Sequence, residues 1–177
     1  FSFFNCLSAD PAILAVGIEY RGDGGQKDTG RNIRDTLAFT VNIASVALVE
    51  AMNITAVPFP PGVDELAAAG LTARPGVKVP CPSIAEAPAA FECRHHTTLT
   101  IGHSREIVLG EVVYAHLHAN TVNERLHVDP AVLDALGRMG GHGYATTRDL
   151  FELPTMSLDE WRRRNRAEVI ATSAEEV

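Results

Sequence analysis

Phe91-Glu92-Cys93-Arg94-His95-His96-Thr97-Thr98-Leu99-Thr100-Ile101 runs through Gly102-His103-Ser104-Arg105 into Glu106-Ile107-Val108-Leu109-Gly110-Glu111-Val112-Val113-Tyr114-Ala115-His116-Leu117-His118. Read with the two-residue period of a strand, Phe91, Cys93, His95, Thr97, Leu99 and Ile101 share one face. Glu92, Arg94, His96 and Thr98 share the other. A second strand over 107–118, with His103-Ser104-Arg105 as the connecting turn, makes this a long β-hairpin. A hairpin of this length needs further strands to cover it, and the rest of the chain offers them.

Upstream, residues 13–18 are a continuous apolar run after Pro11, the signature of a strand buried on both faces. Residues 21–27 are glycine-rich and read as a loop. Asp28 can cap a short helix on which Arg31 and Asp35 are spaced to pair. Phe39, Val41 and Ile43 alternate as a strand, and Ser45 can cap a second helix through Met52. Three prolines make 57–61 a loop. Residues 64–69 give one or two helical turns stopped by Gly70, and 71–88 is extended and broken by prolines. Downstream, Asp129-Pro130 opens a short helix, 137–143 reads as a glycine-rich loop, and Ser157 caps a last helix over 158–171. Leu158 and Trp161 are expected on that helix's buried side and Arg162-Arg163-Arg164 on its solvated side. Many strands and few long helices predict a mainly β fold, a barrel with peripheral helices. Strand–helix alternation at βαβ spacing is absent.

The bulk properties exclude several classes. The 177 residues suit one domain. No apolar run reaches the roughly 20 residues of a membrane helix. Phe1-Ser2-Phe3-Phe4 is apolar but lacks the basic flank and cleavage site of a signal peptide. A net charge of -7 argues against binding nucleic acid through phosphates. Three cysteines without metal spacing suit a reducing, cytoplasmic compartment. Metal binding is not expected. His95 and His96 point to opposite faces of a strand, and His116 and His118 share a face but have no evident third ligand.

Among motifs, Gly22-Asp23-Gly24 starts a dinucleotide fingerprint, but Lys27 stands where its third glycine belongs. Neither a phosphate-binding P-loop nor a G-x-S-x-G elbow occurs. The positive signal is Lys27-Asp28-Thr29-Gly30-Arg31-Asn32. A helix start supplies backbone N–H groups and partial positive charge, Lys27 a point charge, Thr29 a hydroxyl and Arg31 a guanidinium fork, which together suit a phosphate. Arg21 and Arg34 add to the local positive charge. The competing reading is an ordinary capped helix with a solvated face.

Several segments resemble the flavin reductase-like family with the FMN-binding split barrel. They are Ser2-Phe3-Phe4-Asn5-Cys6-Leu7-Ser8-Ala9-Asp10-Pro11, Lys27-Asp28-Thr29 with Arg31-Asn32-Ile33, and Phe39-Thr40-Val41-Asn42. Ala85-Glu86-Ala87-Pro88-Ala89-Ala90-Phe91-Glu92-Cys93, Leu109-Gly110-Glu111-Val112 and Gly137-Arg138-Met139-Gly140-Gly141-His142-Gly143-Tyr144 follow in the same order. The resemblance spans residues 1 to about 154. It implies a Greek-key split β-barrel over 1–156, followed by a C-terminal helix and tail over 157–177. It implies FMN contacts from Ser2, Asn5 and Ser8 along the ring and ribityl chain, and from Lys27, Asp28, Thr29 and Asn32 around the phosphate. Asn42 falls beside the flavin, with Asp28 better suited to capping than to touching an anion. Gly141, His142 and Tyr144 are candidates for a rim over the reacting ring, where a simple tight turn is the alternative. The implied activity is NADH- or NADPH-dependent flavin reduction, in which the cofactor carries the chemistry and no catalytic side chain is named. A non-enzymatic, flavoredoxin-like electron carrier is the alternative. A homodimer is expected, since apolar strands such as 13–18 need more cover than the few helices give, and an oxygenase or another electron acceptor is the expected partner.

Overall fold

The computed structural model describes residues 3–22, 24–60 and 62–165. Its centre is a five-stranded antiparallel sheet in the order β1-β2-β7-β6-β3. These strands are β1 (Phe4–Ala9), β2 (Ala12–Glu19), β3 (Ala38–Asn42), β6 (Ala89–Ile101) and β7 (Arg105–Leu117). Two short pairs accompany it, β4 (Ala73–Arg74) with β5 (Ser83–Ile84), and β8 (Leu136–Gly140) with β9 (Gly143–Thr146). The helices are brief: α1 (Asp28–Thr36), α2 (Val49–Ile54), α3 (Glu65–Ala68) and α4 (Pro130–Leu133). No helix among the described residues is long and apolar enough to cross a membrane. The sheet does not close, as in a split barrel, so the fold class read from sequence is the one observed.

The core follows from the strand patterns. Leu14, Val16 and Ile18 of β2, Ile33 of α1, Phe39 of β3, Cys93 of β6 and Val108 of β7 form one buried cluster. The central β7 carries Gly110 where Phe39 crosses it. A Cβ there would lie 2.4 Å from the Phe39 ring and 3.0 Å from Cys93 Cβ, so only glycine lets the ring lie flat on the strand. Burial pushes the Cys93 thiol up to about 12, which leaves it protonated and unreactive.

Local signals in the sequence are met at several ends. Asp64 and Asp129 each cap their helix, Asp64 accepting from Leu66 and Ala67 N–H and Asp129 from Ala131 and Val132 N–H. The β6–β7 hairpin forms as read, but two bulges, at Glu92/Cys93 and His95/Thr97, interrupt the simple alternation. The first leaves Val113 of β7 unpaired and the second His96 of β6, so Glu92 and Cys93 still take opposite faces. Both are fully buried because Cys93 lies in the core cluster and the 77–79 segment covers Glu92, while Leu99 and Ile101, beyond the His96 bulge, are exposed.

Five further expectations need correction. Asp28 is not a cap: Lys27 is the cap residue of α1, with no side-chain cap bond, and the Asp28 carboxylate is drawn to Arg21 and Arg31 instead. Arg31 thus turns back to Asp28 rather than forward to Asp35. Ser45 makes no side-chain cap bond either; a 3₁₀ turn (Val46–Leu48) precedes α2, and Ser45 bridges to Ala135 through its backbone. The glycine-rich segment 137–143 is part of the β8–β9 hairpin, its reversal made by Gly140 and Gly141 at positive φ. Lastly, Ser157 and Glu160 bond reciprocally and start a helix over 158–165, but Leu158 and Trp161 are more than half exposed on the single chain. The rest of the helix expected over 158–171 and the tail, residues 166–177, lie outside the described residues.

Candidate functional site

The nine-residue helix α1 rests on the sheet through buried Gly30 and Ile33. Lys27 precedes it in extended backbone. Asp28 accepts from Arg21 Nη2 at 3.0 Å and from Arg31 Nη2 at 2.6 Å. Two guanidinium groups sharing one carboxylate leave surplus positive charge beside the positive end of the helix dipole, which suits an anion of phosphate size. Thr29 is half-buried in this turn and Asn32 is exposed on the next.

Asn5 and Ser8 lie on β1, an edge strand, facing Ala15 and Ile13 of β2 across a bulge between Cys6 and Ser8. Asn5 Oδ1 accepts the Cys6 N–H at 2.9 Å, so its side-chain NH₂ is the group left for a ligand. Ser2 lies outside the described residues. Asn42 ends β3, the opposite edge strand, with three strands between it and β1. Its Oδ1 accepts the Ile84 N–H at 2.8 Å, which pins β5 and again leaves the NH₂ as donor.

The β8–β9 hairpin is tied in just beyond Asn42. Leu136 N–H donates to the Ala44 carbonyl at 2.9 Å and Val46 N–H to the Asp134 carbonyl at 3.0 Å. The Arg148 guanidinium grips Asp134 at 2.8 and 2.9 Å and holds that carboxyl below the usual range. On the hairpin, Arg138 lies 5.2 Å from the centre of the Tyr144 ring, donates to the Tyr144 oxygen at 3.1 Å and also bonds the Gly141 carbonyl. Tyr144 then lines a shallow cleft of about 190 Å³ with Val49, Glu50, Met52 and Asn53. Gly141 and His142 form the exposed hairpin tip. Of the candidate residues, Lys27, Asp28, Thr29 and Asn32 therefore cluster on one helix start. Asn5 and Ser8 lie on one sheet edge, and Asn42 and Tyr144 belong to the opposite one.

Two buried carboxylates escaped the sequence reading. Glu92 accepts from the N–H groups of Val77 (2.7 Å), Lys78 (2.6 Å) and Val79 (3.1 Å) and from the His116 ring at 2.6 Å. Burial alone would push its carboxyl up; the bonds from Val77, Lys78, His116 and Val79 outweigh that and hold it down at about 2. Glu106 accepts from Arg34 and Tyr20. The signal for Glu106 would have been Gly30, an unexpected glycine inside a helix that implies close approach by something. Glu92 left no local signal. His116 and His118, weighed as metal ligands, bond Glu92 and the Ala85 carbonyl respectively.

This arrangement has relatives. The flavin reductase like domain matches residues 1–139. An uncharacterized protein of Deinococcus radiodurans is 43% identical over 167 residues, covering 93% of this chain and 73% of that one. Among solved structures, nitrilotriacetate monooxygenase component B from Bacillus cereus superimposes with a TM-score of 0.81 at 29% identity, covering 86% of this chain and 77% of its own. The 2-nitrobenzoate 2-nitroreductase NbaA of Pseudomonas fluorescens does so with a TM-score of 0.78 at 27% identity, covering 89% and 76%. A match through most of the chain, carried on an open antiparallel barrel with a cationic helix start, places this protein in the flavin reductase-like family.

Proposed function

We propose that the chain binds FMN and reduces it at the expense of NADH or NADPH, as a homodimer in the cytoplasm. The observation that carries this reading is the family match over residues 1–139, which includes the helix start at 27–32. The residues there fit the group: Lys27, Thr29 and Asn32 surround the start of α1, and Arg21 and Arg31 outweigh the charge of Asp28. They would hold the phosphate, with Ser2, Asn5 and Ser8 of the β1 edge along the ribityl chain and ring. Bound FMN would supply hydride chemistry at its N5 atom, which requires no side-chain base. The protein's part is to hold and orient the cofactor and to limit access through the hairpin carrying Gly141, His142 and Tyr144. A resemblance to a monooxygenase component B supports an oxygenase as the electron acceptor.

The exposed apolar surface supports the dimer. Leu126, Met139, Phe151 and Leu153 are 77%, 73%, 81% and 84% exposed on the single chain. Side chains of this kind, strung along 126–161, are best covered by a second copy. Sedimentation at micromolar concentration should give a dimer, and a flavin-loaded monomer would reject it.

Mixing the FMN-loaded protein with NADH or NADPH without oxygen tests the activity. Bleaching of the flavin absorbance within seconds is expected for one of the two. Bound flavin that neither nucleotide bleaches would favour the electron-carrier alternative.

A further inference from the structure

Behind the 27–32 turn, four side chains close a ring. Both oxygens of Glu106 accept from Nη1 of Arg34, at 2.8 and 2.9 Å. The other terminal nitrogen of Arg34 donates to Oε1 of Gln26. The Gln26 amide donates to the Tyr20 oxygen at 3.3 Å, and the Tyr20 hydroxyl donates back to Glu106 at 2.9 Å. Glu106 stands at the start of β7 with its side chain only 6% exposed. Gln26 and Arg34 flank the turn on either side. Within it, Gly30 packs directly on Glu106: a Cβ at position 30 would lie 3.2 Å from Oε2.

We propose that Glu106 is the positioning residue for the phosphate-binding turn, a proposal that rests on residues 27–32 holding the FMN phosphate. Ordering a turn only when ligand binds costs conformational entropy, and the glycines at 22, 24 and 25 just before it raise that cost. Closing the ring fixes both ends of the turn before that happens. It also assigns Arg34: its charge is spent on a nearly buried carboxylate, so it serves as a strut and not as a phosphate ligand. Positive charge for the phosphate comes from Lys27 and from the Arg21 and Arg31 pair about Asp28.

The test compares FMN with riboflavin, which lacks the phosphate, by quenching of flavin fluorescence. The reference variant, Lys27→Ala with Thr29→Ala, should weaken FMN at least about tenfold and leave riboflavin within about twofold. Glu106→Gln should weaken FMN about tenfold with riboflavin again nearly unchanged, because the turn is loosened while the ring-binding surface is not. Tyr20→Phe opens the ring without altering charge, and should cost FMN about threefold. This variant decides the matter if Glu106→Gln does not fold. A loss of affinity equal for FMN and riboflavin would make Glu106 a general structural residue and overturn the proposal. Unchanged or tighter FMN binding by Glu106→Gln would do the same, since release of the Arg34 charge would then outweigh positioning. In both cases a selective loss in the reference variant leaves the site reading intact. Equal losses of both flavins in the reference variant would instead overturn the site itself, and the role of Glu106 with it.

Discussion

Glu92 and Glu106 are both nearly or fully buried carboxylates on the adjacent strands β6 and β7, yet they hold different things. Glu92 is bonded mainly by backbone, three successive N–H groups of the 77–79 segment, with His116 as a fourth donor. Among the described residues, Glu106 is bonded by side chains, those of Arg34 and Tyr20. A carboxylate that binds backbone fixes the course of the chain, and its loss is felt as stability. One that binds side chains on a functional helix fixes where that helix stands, and its loss is felt as affinity. The contrast teaches that burial alone does not tell a folding residue from a positioning one; the identity of the donors does.

The sharpest break of the comparison is Glu92→Ala. Three N–H groups and the His116 ring would lose their acceptor inside the protein, at a cost of about 3 to 5 kcal/mol. The melting temperature should fall by roughly 10 °C, since each kcal/mol moves it about 2–4 °C at this chain length. The ratio of FMN to riboflavin affinity should stay as it was. A selective loss of FMN would erase the distinction between the two carboxylates.

Acid should act through Glu92 in the same direction. Its folded-state carboxyl titrates at about 2, below the ordinary 4.5, so its contribution is complete above 4.5 and is lost as pH falls toward 2. Urea unfolding followed across that window should show stability declining with pH in the native protein. The slope should be shallower in Glu92→Gln, which has no proton to take up, and equal slopes would show that other groups govern the acid transition.

Glu106→Gln should cost less stability, about 2 kcal/mol, the usual range for hydrogen bonds to a charged group. Thermal unfolding measured beside the Glu92 variants checks the order. A larger loss for Glu106 would make it the stronger folding residue of the two.

The smallest effect is expected at Tyr144, held by Arg138 on an exposed hairpin where no buried carboxylate is involved. Tyr144→Ala should change the Michaelis constant for the nicotinamide or acceptor. The FMN dissociation constant should stay within about threefold, roughly 0.7 kcal/mol. A collapse of FMN affinity would make the hairpin part of the cofactor clamp.

Much of this protein follows from sequence because the responsible forces are local. The apolar run 13–18 predicted β2, the strand period predicted the β6–β7 hairpin, and Pro130 at the first helical position announced α4. The cationic turn at 27–32 was likewise legible as an ordered run of residue types. The tertiary structure decided the rest. Asp28 became an ion-pair partner because Arg21 comes back across a loop to meet it. Glu92 and Cys93 are both buried because the 77–79 segment covers the face of β6 opposite the core. Residues 137–143 became a hairpin because its base is anchored to Ala44 and Val46. Glu106 meets Arg34 across 72 positions of sequence, a separation that no periodic pattern reaches. Periodicity reports which face a residue takes along one element; only the packing of separate elements decides which charge it finds there.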